Sequence, residues 1–275
     1  MDPQPHACPV CGAAMATAFQ GRLLDRHDVT YFLCGTCGLL QTESPHWLEE
    51  AYSTAIARTD LGLVQRNVDT FRRIAPVLYQ LHGPDAVVLD AAGGYGMLAR
   101  LLRDRGFDAW TTDAHCENLL CGPFEAEPDL ATHALCAIEV MEHLEHPRAW
   151  LADLVERHGP STLIFSTVTW DGPSPPAKDW WYYAPETGQH ITFFQPRTIE
   201  RLASELGFHY LPLRRDLHLF TREPLGRADR RQVGGGWWGR RTRRRMERGM
   251  RGRSRLPADY EKACALVQAR DGDDA

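Results

Sequence analysis

The sequence has no apolar run approaching the roughly 18 residues that a bilayer-spanning helix needs, which excludes a transmembrane helix. Its first residues, Met1-Asp2-Pro3-Gln4-Pro5, lack both the basic and the apolar stretch of a secretory signal, so a soluble, cytoplasmic protein is expected. Compositional bias is missing as well. Hydrophobic residues make up 43% and charged residues 24%, close to the globular average, which excludes a wholly disordered or collagen-like chain. Lysine is nearly absent: Lys178 and Lys262 are the only two among 31 basic residues. At 275 residues there is room for one full domain with an appendage, or for two modest ones.

The charge is unevenly spread. Thirteen Arg lie between Arg222 and Arg255 against three acids, Glu223, Asp229 and Glu247. That stretch is therefore +10, and with a net charge of -5 the rest of the chain carries -15. The basic tail needs an explanation separate from the body.

The eight cysteines fall into two sets. Cys8-Pro-Val-Cys11-Gly12 and Cys34-Gly-Thr-Cys37-Gly38 are paired Cys-x-x-Cys knuckles, whereas Cys116, Cys121, Cys136 and Cys264 follow no such pattern. In a cytosolic protein, paired knuckles point to one tetrahedral zinc ion bound by four thiolates. A redox pair, the alternative, needs only one Cys-x-x-Cys. Four thiolates leave no open position, so the expected Zn²⁺ is structural. The segment between the knuckles is expected to form a hairpin, with Val29–Leu33 as its returning strand.

From Ala86 the pattern changes. Ala86–Asp90 is a short apolar strand ending in an acid, Ala91–Gly96 is Gly-rich, and Met97–Arg103 has helical periodicity. This order is the nucleotide-binding first unit of a doubly wound sheet. Phe107–Thr112 reads as the next strand, closed by Asp113, about 20 residues past the glycines, where a carboxylate can take both ribose hydroxyls. Gly94-x-Gly96-x-x-Ala99 formally fits a dinucleotide fingerprint. However, Asp90 would then face a pyrophosphate, which is repulsive. S-adenosylmethionine carries a sulfonium and an ammonium and no phosphate, and Asp90 favours it electrostatically.

These residues resemble the class I S-adenosylmethionine-dependent methyltransferases. Val88-Leu89-Asp90-Ala91-Ala92-Gly93-Gly94-Tyr95-Gly96 looks like their first motif, with Ala92 in place of its first Gly. The resemblance runs from about Asp60 to Phe220. It takes in Ala137–Pro147 (Ala-Ile-Glu-Val-Met-Glu-His-Leu-Glu-His-Pro) and Gly188–Phe194, both similar to a small-molecule branch that often carries an N-terminal zinc-ribbon-like module. Sugar-methylating members of polysaccharide and natural-product pathways look nearest. The resemblance implies a Rossmann-like α/β fold: a seven-stranded, mostly parallel sheet at about 83–220. A small zinc-binding module at 1–45 and a helical connector at 46–82 would precede it, and a basic extension at 221–275 would follow. Asp90, Gly93, Gly94, Gly96, Asp113 and Glu139 are then the expected cofactor residues.

Methylation of a hydroxyl needs an aligned acceptor and a base. His143 and His190 are the candidate bases, since each falls after a strand or in a loop at the ligand end of such a sheet. Glu142 stands beside His143. If 139–146 is helical, Glu139, Glu142, His143 and His146 share one face. That face resembles a pattern in ubiquinone-pathway O-methyltransferases and small-RNA 2′-O-methyltransferases, where a divalent ion such as Mg²⁺ assists and where His190 would match a downstream His. Four adjacent aromatics, Trp180–Tyr183, are expected either to line an acceptor pocket or to pack as a lid.

Gly234–Gly239 reads as a flexible break before the Arg-rich run Arg240–Arg245. The run is expected either as a solvated helix, as a steering patch for an anionic acceptor, or as a site for nucleic acid, an anionic membrane or an acidic partner. The favoured partner is a small-molecule acceptor, such as a nucleotide sugar or glycan precursor. An RNA methyltransferase using the zinc module and tail to bind RNA, or a non-catalytic binding module, are the alternatives.

Overall fold

The computed structural model describes residues 6–52 and 61–273. In chain order these form β1 (Ala16–Leu23), β2 (His27–Leu33), β3 (Leu40–Thr42), α1 (Leu48–Ala51), α2 (Leu63–His82), β4 (Val87–Ala91), α3 (Met97–Arg105), β5 (Asp108–Thr112) and β6 (Ala134–Ala137). There follow α4 (Pro147–His158), β7 (Thr162–Ser166), β8 (Thr192–Phe193), α5 (Pro196–Glu205), β9 (His209–Pro212), β10 (Leu217–Thr221), α6 (Arg227–Val233), α7 (Gly236–Gly249) and α8 (Leu256–Asp273). Single 3-10 turns occupy Gly122–Phe124, Met141–His143 and Trp181–Tyr183. No helix among the described residues is long and apolar enough to cross a membrane.

The described residues divide into two compact units, one of 6–52, 138–156 and 165–224, the other of 61–137, 157–164 and 225–273. The mixed sheet has the strand order β5-β4-β6-β7-β10-β9, six strands where the resemblance implies seven. The segment after Gln189 does not add to it. β8 instead pairs antiparallel with β3, Leu40 opposite Phe193, and completes a second sheet of order β1-β2-β3-β8.

In the first unit, the hairpin expected between the knuckles is β1–β2, with Ala16 opposite Leu33 and Leu23 opposite His27. Its apolar face packs Val29, Tyr31, Leu40 and Trp47 against Trp170, Tyr182, Tyr183, Ile191 and Phe193. Trp47 is 1% exposed, and its Nε1–H donates to the Gly188 carbonyl, so its one polar group is satisfied inside the core. At the start of α5, Gln195 and Thr198 form a reciprocal capping box. The Thr198 hydroxyl also donates to the Cys37 carbonyl at 2.7 Å, tying the second knuckle to that helix.

In the second unit, β4 runs parallel between β5 and β6, pairing Asp90 with Thr111 and with Cys136. Buried on both faces, β4 is nearly all apolar, as parallel strands are. Helix α3 starts and stops at left-handed glycines, Gly96 (φ 79°) and Gly106 (φ 117°). Helix α2 contains Pro76, which has no N–H for the Arg72 carbonyl. The Arg243 guanidinium supplies the missing donor at 3.2 Å. The Gly-rich break is shorter than the sequence implies. Gly234 caps α6, and α7 begins at Gly236, so Trp237, Trp238 and Gly239 are helical.

Candidate active site and four-cysteine cluster

The Gly-rich turn belongs to the second unit. Asp90 is 2% exposed, and its Oδ2 has no hydrogen-bond partner. Burial raises its carboxyl to about 7, offset in part by the Ala99 backbone N–H and reinforced by the Asp113 charge. Gly93 has no room for a side chain: a Cβ would lie 2.4 Å from Thr111 Oγ1 and 2.5 Å from Asp90 Oδ2. At Gly96 it would meet Asn118 Oδ1 at 2.4 Å. Ala92 occupies left-handed backbone at φ 53°, the conformation that favours the Gly it replaces. Gly94 is also left-handed, and its N–H donates to Asp113 Oδ2 at 2.9 Å. Asp113 Oδ1 accepts from the His115 and Cys116 N–H groups. Three of about four acceptor positions on Asp113 are therefore used, which leaves room for a single hydroxyl. An orphaned, buried carboxylate oxygen beside a turn open to backbone approach fits a cationic cofactor and repels a diphosphate.

The first unit holds the histidines. The 139–146 helix is not formed. Glu139 has φ 57°, Met141–His143 is a single 3-10 turn, and Leu144 is extended ahead of α4. The left-handed Glu139 is held by Ser166, whose hydroxyl accepts from the Glu139 N–H and donates to its Oε1, both at 2.7 Å. Glu139 and His146 are consequently exposed and separate from Glu142 and His143, so the four do not share a face. The structure instead gathers Glu142, His143 and His190, whose ligand atoms lie within 4.8 Å of one another. The turn that carries them is pinned by Ile191 N–H to the Glu142 carbonyl, Thr192 Oγ1 to the Leu144 carbonyl and Gln41 Nε2 to the Glu145 carbonyl.

The imidazoles of His143 and His190 stand edge to face, 4.9 Å apart. His143 Nδ1 lies 3.1 Å from the Gln189 carbonyl, and His190 Nδ1 lies 2.7 Å from the Tyr182 carbonyl. A carbonyl only accepts, so each Nδ1 carries the proton, shared at His143 with the Tyr52 hydroxyl 2.9 Å away, and each Nε2 is the unprotonated nitrogen. Burial, then the neighbouring His190, lowers His143 to about 3, although the Gln189 carbonyl opposes this. Burial also lowers His190. Both rings are therefore neutral at neutral pH. Glu142 is fully buried with both oxygens unpartnered. Burial, then the Glu139 charge, raises it to about 8, and the nearby Tyr182 and Thr167 hydroxyls offset only part of this.

Sequence reasoning missed the partners that set these states: Ser166, Thr167, Gln189, the Tyr182 carbonyl and Tyr52, whose hydroxyl is 2.9 Å from His143 Nδ1. Gln189 and Tyr182 lie in segments the sequence singles out, but they act through backbone carbonyls, which residue type does not reveal. Of the four adjacent aromatics, Tyr182 and Tyr183 are core, and Trp181 is 70% exposed. A carboxylate with two imidazoles is a poor set for Mg²⁺, which prefers all-oxygen shells, so the Mg²⁺ expectation is corrected on donor chemistry.

The two knuckles converge. Cys8 Sγ is 3.5 Å from Cys37 Sγ, and Cys11 Sγ is 3.5 Å from Cys34 Sγ, with all four sulfurs within 4.8 Å and none in a disulfide. A tetrahedron with metal–sulfur bonds of about 2.3 Å has edges of roughly 3.8 Å, so the set fits a four-thiolate ion. Gly12 (φ 74°) and Gly38 (φ 82°) close the two turns in left-handed backbone.

A family profile for the methyltransferase domain matches residues 63–213, more than half of the chain. No curated protein matches the chain by sequence. Among solved structures, the chain is similar to the Burkholderia thailandensis 1,6-didemethyltoxoflavin-N1-methyltransferase, at 15% identity and a TM-score of 0.46, over 74% of this chain and 98% of that one. It is similar also to the Synechocystis magnesium protoporphyrin IX methyltransferase, at 12% identity and a TM-score of 0.41, over 65% and 96%. On the family match the chain belongs to the methyltransferase-domain family, and it is an S-adenosylmethionine-dependent methyltransferase.

Proposed function

We propose that the chain methylates a hydroxyl of a small molecule, a sugar or natural-product intermediate such as a nucleotide sugar or glycan precursor, with His143 or His190 as general base. The observation that carries this reading is the pair of neutral imidazoles whose Nδ1–H groups face backbone carbonyls, which leaves Nε2 as the basic nitrogen of each, beside the unpartnered Glu142. Asp90, Gly93, Gly94, Gly96 and Asp113 are the residues proposed to hold S-adenosylmethionine. Bound there, the cofactor supplies an electrophilic methyl on a sulfonium. The chain's own residues do the rest. The Nε2 of one of these rings takes the acceptor's hydroxyl proton as the oxygen attacks the methyl and the sulfonium leaves as a neutral thioether. The aim toward sugars rests on the resemblance of Gly188–Phe194 and of the zinc-ribbon-like N-terminus to sugar-methylating enzymes. In the same reading the four cysteines hold a structural Zn²⁺ that stiffens the sheet from which Gln41 and Thr192 pin the Glu142–His143 turn.

Glu142, His143 and His190 support a second reading, because their ligand atoms lie within 4.8 Å of one another and both Glu142 oxygens are unpartnered. A borderline divalent ion suits two imidazoles and a carboxylate, and each ring's Nδ1–H to a carbonyl is the usual support of a metal-bound histidine. Transfer of labelled methyl to a panel of hydroxylated sugars separates the two. Loss of the true base should cost about 10²–10⁴-fold in turnover while leaving S-adenosylhomocysteine affinity intact. Abolition of wild-type turnover by chelator moves the role to a metal. Full activity in a His143→Ala/His190→Ala double variant removes both readings.

A further inference from the structure

Helix α7 spends one face on packing and leaves the other to charge. Thr242, Met246 and, just past its end, Met250 are buried, and Arg243 is committed to the Arg72 carbonyl of α2. Trp237, Arg241, Arg244 and Arg248 follow i, i+4, i+7, i+11 and share the opposite face, flanked by Arg240, Arg245 and Arg251. Glu247 is the helix's single acid. Arg240, Arg244, Arg245, Arg248 and Arg251 have no side-chain ion pair among the described residues. Trp237 and Trp238 are 54% and 41% exposed, and the Arg241 guanidinium lies 5.1 Å and 5.8 Å from their ring centres. Like charges three and four residues apart repel along the helix, and an external polyanion relieves that repulsion.

We infer that the outer face of α7 is a binding surface for single-stranded nucleic acid, with the arginines on phosphates and the exposed Trp237–Trp238 pair offering stacking faces to bases. The inference does not depend on the reading of the methyl-transfer residues. Guanidinium groups match the two oxygens of a phosphodiester bidentately. Exposed aromatics interleaved with cations are what unpaired bases need and what duplex binding does not use. A membrane surface is disfavoured by the same packing. An interfacial helix sinks an apolar face into the headgroups, whereas the apolar face of α7 is already buried against its own unit.

The test uses the full chain and a fluorescein-labelled 20-nucleotide oligouridylate RNA, read by anisotropy across about 50–300 mM salt. Non-specific binding in the micromolar range is expected, with log K falling on log salt at a slope of about −3 for four to five phosphate contacts. The triple variant Arg241→Gln/Arg244→Gln/Arg248→Gln keeps residues of good helix propensity. It should shrink the slope by about 2 and weaken binding at least tenfold, with helicity and S-adenosylhomocysteine binding retained. Trp237→Ala should weaken binding about tenfold at unchanged slope, because stacking releases no counterions. Absence of RNA binding at 50 mM salt, a triple variant that binds as the parent does, or tighter binding to phosphatidylglycerol vesicles than to RNA at equal salt would each overturn the inference.

Discussion

Replacing Glu142 by Gln should make the protein more stable by an amount that grows as pH rises from about 5 to about 8. The folded protein holds the Glu142 carboxyl near 8 against an ordinary 4.5, because burial and the Glu139 charge oppose ionisation. The folded state therefore binds more protons than the unfolded chain between these values, and stability falls as pH rises through them. Each pH unit in that window costs about 1.4 kcal/mol. By pH 8.5 the ionised carboxylate holds up to roughly 4 kcal/mol against the fold, whereas at pH 5 less than about 1 kcal/mol has accrued. Glutamine is nearly isosteric and does not ionise. Urea denaturation with chelator present, followed by circular dichroism, should show Glu142→Gln near the parent at pH 5. At pH 8.5 its midpoint should rise by about 1 M or more. A variant less stable than the parent at pH 8.5, or a difference that ignores pH, would show that the carboxylate has a partner.

Elemental analysis of protein purified without chelator should find one zinc per chain, and none would end the structural-zinc reading. Cys34→Ser should lower turnover through the Gln41 and Thr192 contacts while sparing S-adenosylhomocysteine binding, measured side by side. Asp259 on α8 accepts from Arg103 through both oxygens, at 2.8 and 2.6 Å, and from Arg100 at 2.9 Å. With Asp259 6% exposed and Arg103 2% exposed, Asp259→Ala leaves the buried guanidinium with Asp108 as its one remaining anionic partner, beside the Ala109 carbonyl and the Phe124 ring, and should cost roughly 3 kcal/mol in a denaturant melt. A loss below about 1 kcal/mol would show that α8 is not anchored there.

Local signals in the sequence mark the elements that are built locally. The strand–glycine–helix unit from β4 to α3 and the two knuckles close within a few residues, and their glycines are fixed by backbone angle. What failed was set by distant partners. The 139–146 segment looks helical by spacing, but Ser166 holds Glu139 left-handed and breaks the face. His190 joins Glu142 because β8, two residues long, pairs with β3 some 150 residues earlier in the chain, which no periodicity reveals. The glycines before the Arg run read as a break, yet Gly236 starts α7, where packing against α2 outweighs the low helix propensity of Gly.

Calorimetry of the parent and of Asp90→Asn, each titrated with S-adenosylhomocysteine and with NAD, tests the central claim most directly. The proposed cofactor site has an orphaned, buried Asp90 oxygen beside a turn with no room for a side chain at Gly93, a setting that would favour a cationic, phosphate-free cofactor. The account predicts binding of S-adenosylhomocysteine to the parent and no binding of NAD. It also predicts at least tenfold weaker binding by Asp90→Asn, the effect of a charge-assisted contact of roughly 1.5–3 kcal/mol. Binding of NAD without S-adenosylhomocysteine, or full affinity in Asp90→Asn, would contradict it.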